Sequence, residues 1–213
     1  MAYTTIDDPT LYFNTKLYSG TSGVQTISGI GFEPSWIWTK SRTNAGNHQV
    51  TDQVRGLTKY IRPNAVNAED TKTNAITAVN SNGFVLGADS SDDINANGQN
   101  YISYNWKANG QGSSNTDGSI NTTYTSASTT SGFSISSYNG NGNVGATVGH
   151  GLGAVPTMII VKRLNGASDW MVYHVKIGNN YRLRLNEDAA EQDNPVWNDT
   201  TPTSSVFYMN DNG

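Results

Sequence analysis

The chain writes one message twice. Tyr18-Ser19-Gly20, then Gly31-Phe32-Glu33-Pro34 leading into Trp36-Ile37-Trp38-Thr39-Lys40, returns as Tyr138-Asn139-Gly140, then Gly153-Ala154-Val155-Pro156 leading into Met158-Ile159-Ile160-Val161-Lys162. Lys40 maps on Lys162, His48 on Trp170, Val50 on Val172 and Asn64 on Asn186, each 122 residues apart. Solenoid and propeller units repeat at roughly 20 to 50 residues, so a spacing this long describes a duplicated domain. The 213 residues then divide into two units of about 100 residues, each able to bury a core of its own. The second copy reaches Val206-Phe207-Tyr208-Met209 without the counterpart of Tyr101-Ile102-Ser103-Tyr104-Asn105-Trp106, and is read as truncated before its last strand.

What each unit folds into follows from the punctuation. Short runs rich in Val, Ile, Thr, Tyr, Phe and Trp alternate with Gly/Asn/Ser/Asp clusters, the pattern of a sandwich or barrel, and no sustained helical period intervenes. Strands are expected near Leu11–Tyr18, Val24–Ile30, Ser35–Ser41, His48–Asp52, Tyr60–Arg62, Ile76–Asn80, Phe84–Asp89 and Tyr101–Lys107. In the second unit they are expected near Ser119–Thr125, Phe133–Tyr138, Val144–Val148, Thr157–Arg163, Asp169–His174, Tyr181–Leu185 and Ser205–Met209. Glu69–Ala78 is the one stretch that reads as a short helix. Trp36 and Trp38 leave one face of their strand and Ile37 the other, while Met158–Val161 is apolar on both, so both strands read as central. The expected architecture is all-β: two tandem jelly-roll-like antiparallel sandwiches, residues 1–108 and 116–213, joined by a Gly/Ser linker at 109–115.

Charged residues are only 14% of the chain, against roughly 25% in an ordinary soluble domain, whereas 26 Asn, 24 Thr and 21 Ser make up a third of it. With a net charge of −4 and no run of Lys or Arg, nothing offers a phosphate backbone or anionic lipid an electrostatic footprint, so neither nucleic acid nor a membrane is an expected partner. The absence of cysteine removes disulfides, thiolate metal sites and thiol nucleophiles together. Met1-Ala2-Tyr3-Thr4-Thr5-Ile6 lacks the basic and apolar regions of a secretory leader.

Several motifs carry chemistry only on paper. Gly140-Asn141-Gly142-Asn143-Val144-Gly145 fits G-x-G-x-x-G, but a dinucleotide site needs a helix next, and Ala146-Thr147-Val148-Gly149 reads as a strand, so an Asn-Gly hairpin is expected and no cofactor. Asp93-x-Asn95-x-Asn97-Gly98 opens like a calcium loop, yet its twelfth position is Tyr104 and not Glu. A looser cation site remains as a candidate in Asp89, Asp92, Asp93 and Asn95. His48, His150 and His174 are scattered, no G-x-S-x-G elbow occurs, and the carboxylate pairs are adjacent in sequence, so no catalytic residue is assigned. Trp36, Trp38, Tyr101, Tyr104, Trp106, Trp170 and Tyr173 read mostly as core or inter-domain rings. Trp197, flanked by Asn198, Asp199 and Thr200, reads as a ligand or partner contact, with Tyr208 beside it.

Gly151-x-Gly153-x-x-Pro156 before an apolar strand ending Val161-Lys162-Arg163, Asp52-Gln53-Val54-Arg55-Gly56, Ser81-Asn82-Gly83-Phe84-Val85-Leu86-Gly87, Asn100–Lys107 and Ile6-Asp7-Asp8-Pro9 together resemble the tandem concanavalin-like β-sandwich repeats of virion and tail-fibre proteins of tailed, especially marine, bacteriophages. The resemblance spans essentially the whole chain. It implies a non-enzymatic virion protein, made in the host cytoplasm, that assembles with copies of itself and other virion proteins and touches host-surface glycans. A stand-alone carbohydrate-binding module is the alternative, and a glycan-degrading enzyme the reading least favoured.

Overall fold

The structure, a computed structural model, describes residues 6–210. It is all-β, with every strand pair antiparallel and two single-turn 3-10 helices, Pro9–Leu11 and Pro195–Trp197. No helix is long and apolar enough to cross a membrane. The chain divides into two compact units, Met1–Arg62 with Glu69–Gly110, and Pro63–Ala68 with Gln111–Gly213.

The first unit carries β1 (Phe13–Ser19), β2 (Gln25–Ser28), β3 (Trp36–Ser41), β4 (Gln49–Asp52), β5 (Lys59–Tyr60), β6 (Asp70–Thr71), β7 (Ile76–Asn80), β8 (Gly83–Leu86) and β9 (Asn100–Trp106). They form a four-stranded sheet in the order β1-β9-β3-β4, a three-stranded sheet β2-β8-β7 and the β5-β6 ladder. The sequence expectation of a helix over Glu69–Ala78 fails, because Asp70 and Thr71 pair with Tyr60 and Lys59 and Ile76 with Leu86. Alternation then builds the core. Ile37 faces inward from β3 and meets Ile27, Ile76, Phe84 and Leu86 of the second sheet, with Ile30, Phe32 and Ile94 from the loops. Burying each such side chain contributes about 1.5–3 kcal/mol.

The second unit carries β10 (Thr122–Ser128), β11 (Phe133–Tyr138), β12 (Ala146–Gly149), β13 (Met158–Val161), β14 (Met171–His174), β15 (Tyr181–Arg184), β16 (Gln192–Asp193) and β17 (Val206–Met209). The pairings are β10-β11, β12-β17 and β13-β14-β15-β16. Its core joins Ile120, Val148, Tyr173, Val196, Trp197, Phe207 and Met209.

Strand starts line up between the units. From β1 to β11 the spacing is 120 residues, from β2 to β12 121, from β3, β4, β5 and β6 to β13, β14, β15 and β16 122, and from β8 to β17 123. The registers agree as well: Trp36↔Asp52 matches Met158↔His174, Lys59↔Thr71 matches Tyr181↔Asp193, and Gln25↔Leu86 matches Ala146↔Met209. Side chains follow. Tyr18 meets Phe84 edge-on at 6.3 Å, and Tyr138 meets Phe207 the same way at 6.3 Å. Lys40 Nζ donates to the Ser41 carbonyl and Lys162 Nζ to the Arg163 carbonyl, each at 2.7 Å.

Four expectations need correction. Residues 63–68, read as part of the first unit, pack with the second: Val66 O accepts from Ser168 N at 2.9 Å and Ala65 O from the Trp170 indole at 3.2 Å. The 109–115 segment is anchored and is no free linker, since Ser113 exchanges backbone bonds with Thr125 and Asn115 O accepts from Thr122 N. Gly112 there has φ +75°, and a Cβ on it would run into the Thr125 carbonyl. The Gly140–Gly145 turn is not a hairpin, because β11 and β12 pair with different partners. Finally β3 has a strand on each side, as expected of a central strand, whereas among the described residues β13 pairs with β14 alone.

Candidate functional site

The β1-β9-β3 sheet turns one face to the core and the other outward, and register fixes what the outward face carries. Phe13, Trp106 and Trp36 lie in one cross-strand row, Thr15, Tyr104 and Trp38 in the next, and Leu17, Ile102 and Lys40 in a third. Residues directly opposite each other lie close enough for rings to touch. Phe13 and Trp106 have ring centroids 4.7 Å apart and tilted by 51°, and Trp38 meets Tyr104 edge-on at 6.5 Å. Phe13 is 37% and Leu17 56% exposed, while Trp36, Trp38, Tyr104 and Trp106 are half-buried. A row of partly exposed rings on one sheet face is a feature that contact surfaces share.

The face is held rigid at its far edge. The Trp38 indole N–H donates to His48 Nδ1 at 3.0 Å, which fixes both rings. Burial, reinforced by the nearby Lys40 charge, pushes the His48 pKa down, so the ring stays a neutral acceptor. Behind β4, Arg55 Nε contacts Asp52 at 2.7 Å and Nη1 contacts Glu69 at 3.1 Å, and Nη2 donates to Val50 O at 3.2 Å, closing the loop after the strand. The face therefore offers aromatic and aliphatic carbon with a single lysine among its three rows. It suits a neutral, flat ligand or an apolar protein patch better than a phosphate.

The residues put forward from sequence lie elsewhere. Trp197 is 1% exposed, T-shaped on Tyr173 at 5.8 Å, and its indole donates to Tyr181 O at 3.1 Å, so it is a core residue and reaches no ligand. The local cause is the 3-10 turn Pro195–Trp197. The Asn194 side chain caps it by accepting from Val196 N at 3.1 Å, and the turn drives Val196 and Trp197 inward together. Asn198 and Asp199, with φ of 53° and 47°, then turn the chain back out. Tyr208 is half-buried and alternates with the core residues Phe207 and Met209, so it points away from Trp197. These four do not form one site.

The cation loop is likewise committed to the protein. Asn95 is fully buried: its amide donates to Gly23 O and Gly87 O, and its Oδ1 accepts from Thr21 N and Gln25 Nε2. Asp89 pairs with Lys72 at 3.3 Å and caps Ser91 N, and Asp93 accepts from Asn47 N. Asp92 uses its carbonyl to receive the Tyr101 hydroxyl at 3.1 Å. Among the described residues no group of three or more His, Asp or Glu converges as a metal site. The histidines also stay apart: His150 Nδ1 accepts from Leu152 N and His174 Nδ1 from Lys176 N, each at 3.2 Å.

Sequence reasoning passed over Phe13 and Leu17 as surface residues. The signal was present in the alternation of Phe13, Thr15 and Leu17 with Asn14, Lys16 and Tyr18, but choosing which parity faces out needs the neighbouring strand.

Fold and face together define an all-β protein of two sandwich-type units, the first with an aromatic outward sheet face. The chain belongs to a family described as Domain of unknown function (DUF7483), whose model matches residues 8–213. No curated protein and no solved structure matches it.

Proposed function

We propose that this protein is a non-catalytic structural component of a bacteriophage virion, in a tail fibre, the tail or the capsid surface, and that it works by surface contact. The observation that carries the reading is the outward aromatic face of β1, β9 and β3: exposed Phe13 and Leu17 beside half-buried Trp36, Trp38, Tyr104 and Trp106, with almost no charge. The sequence resemblance to tail-fibre repeats supports the virion setting. Commitment of His48, His150 and His174 to structural hydrogen bonds supports the non-catalytic reading. Copies of the chain and other virion proteins are the partners, and host glycan is the ligand that flat, neutral rings would stack on.

The same face favours a second reading, a stand-alone carbohydrate-binding module. Purified particles separate the two. Immunogold label raised against this chain should sit on the particle at a fixed position and recur in every particle, and a protein found only free in the lysate would overturn the virion assignment. Reducing ends released from surface polysaccharide by the purified chain would overturn the non-catalytic one.

A further inference from the structure

An asparagine followed by glycine is chemically labile, because the glycine nitrogen can close on the side-chain Cγ with no Cβ in its way. The chain carries seven Asn-Gly pairs, of which Asn212-Gly213 lies outside the described residues. The fold treats the other six differently. Gly98 N donates to Gly20 O at 3.1 Å and Gly110 N to Ser35 Oγ at 3.3 Å, so these two nitrogens are already engaged. Asn82 Oδ1 accepts from Gly29 N and Gly31 N at 3.2 and 3.0 Å, and Gly83 sits in the ladder between Ser28 and Asn80. Asn165 Oδ1 accepts from Arg163 Nε at 2.9 Å, and the same guanidinium lies against Gly166, its Cζ 3.1 Å from where a Cβ would stand.

The remaining two pairs are consecutive, Asn139-Gly140-Asn141-Gly142, in the loop from β11 to β12. All four residues are exposed, and a Cβ on either glycine would meet nothing within 4 Å. Neither Gly140 N nor Gly142 N donates a hydrogen bond among the described residues. Asn141 has one further feature: its Oδ1 accepts from Asn143 N at 3.0 Å. This Asx turn bends the side chain back over the Gly142 peptide and polarises the Cγ carbonyl. Asn44, Asn80, Asn115 and Asn194 make the same turn, but Ala45, Ser81, Thr116 and Pro195 follow them, each with a Cβ and the last with no N–H to react. Exposure, an uncommitted glycine nitrogen and a folded-back amide coincide, among the described residues, at Asn141.

We propose that Asn141 is a self-modifying site, converted through a succinimide to aspartate and isoaspartate with water as the co-reactant. The Gly142 nitrogen, deprotonated by hydroxide, bonds to Asn141 Cγ. The Cγ–Nδ2 bond then breaks, and the nitrogen takes a proton from water and leaves as ammonia. Water next opens the five-membered imide at either carbonyl. One opening gives aspartate, and the other gives isoaspartate with an extra carbon in the backbone. Residues 139–145 carry no charge, so each event puts a first carboxylate on this loop and takes the net charge of the chain from −4 to −5. The charge accumulates with time and therefore records the age of a copy. The site lies in the second unit and does not depend on the aromatic face of the first, so its failure would leave the virion reading standing.

The test holds the purified protein in warm, mildly alkaline water enriched in heavy oxygen, then maps it by peptide mass spectrometry with fragmentation that separates aspartate from isoaspartate. Asn141 should gain about 3 Da, the mark of ammonia lost and heavy water added. It should do so about tenfold or more faster than Asn82, Asn97, Asn109 and Asn165, whose reaction waits on local opening of the fold. In urea those protections vanish and the rates should converge. Asn141→Gln, at an exposed position, should remove the mass gain there and leave the other pairs as they were. Asn141 intact in the native protein overturns the proposal, whatever happens in urea. An equal or faster rate at any other described pair, Asn139 included, also overturns it.

Discussion

Replacing Trp197 by alanine discriminates between a buried core ring and a ligand contact. The indole is 1% exposed, packs on Tyr173 at 5.8 Å and donates to Tyr181 O at 3.1 Å within the cluster of Ile120, Val148, Phe207 and Met209. Removing a buried tryptophan costs about 3–5 kcal/mol in lost burial and cavity. The orphaned Tyr181 carbonyl adds about 1–3 kcal/mol if water does not reach it. A domain of this size has only about 5–15 kcal/mol in total, so Trp197→Ala should leave the second unit barely folded at room temperature. Trp197→Phe retains most of the ring and loses the N–H, and should fall between the variant and the native protein. Urea unfolding followed by circular dichroism and tryptophan emission measures both. A loss below about 0.5 kcal/mol for Trp197→Ala is the size expected of an exposed contact and would refute the core assignment.

Four further outcomes follow. Burial holds the Tyr138 hydroxyl pKa up at about 12 and raises Tyr18 well above its ordinary value, burial first and the Tyr101 charge second. The folded state then retains protons that the unfolded state loses above about pH 10, so stability should fall between pH 10 and 12, and Tyr138→Phe should flatten that slope in alkaline melts. For His48 the folded pKa is depressed, so the unfolded state binds the extra proton and stability should drop as pH falls below about 6.5. Trp38 emission should change in step as its acceptor is lost, and His48→Gln should remove this part of the acid response. Gly112→Ala, at φ +75° against the Thr125 carbonyl, should cost about 1–3 kcal/mol in chemical denaturation, and a neutral result would contradict the anchored 109–115 segment. Millimolar calcium should leave the melting temperature unchanged, because Asn95 and Asp89 are already engaged by the protein, and a rise of several degrees would restore the cation loop.

The all-β class was legible because β-branched and aromatic runs alternate with Gly/Asn clusters throughout, and strands such as Phe133–Tyr138 and Ile76–Asn80 fall where that alternation puts them. Short pairs were not. Asp70–Thr71 and Gln192–Asp193 are two-residue strands whose polar composition signals a turn, and they exist because partners at Lys59–Tyr60 and Tyr181–Arg182 present free edges. Trp197 misled for a related reason: its Asn and Asp neighbours read as an exposed loop, but they serve the turn that buries it. The aromatic face was half legible. Trp36 and Trp38 share a strand face by parity alone, whereas their union with Phe13, Tyr104 and Trp106 depends on β9 entering between β1 and β3, a long-range pairing that no local pattern encodes.

The claim that the protein works through the outward face of β1, β9 and β3 is tested most directly by pull-down of purified chain on intact particles and on host-surface polysaccharide, comparing native protein with Phe13→Ser, Leu17→Ser and Trp36→Ser combined. Native protein should bind one of the two, and the triple variant should lose about tenfold or more in affinity, the size expected for truncated aromatic anchors, while its strand content stays native by circular dichroism. Undiminished binding by a folded triple variant would contradict the account.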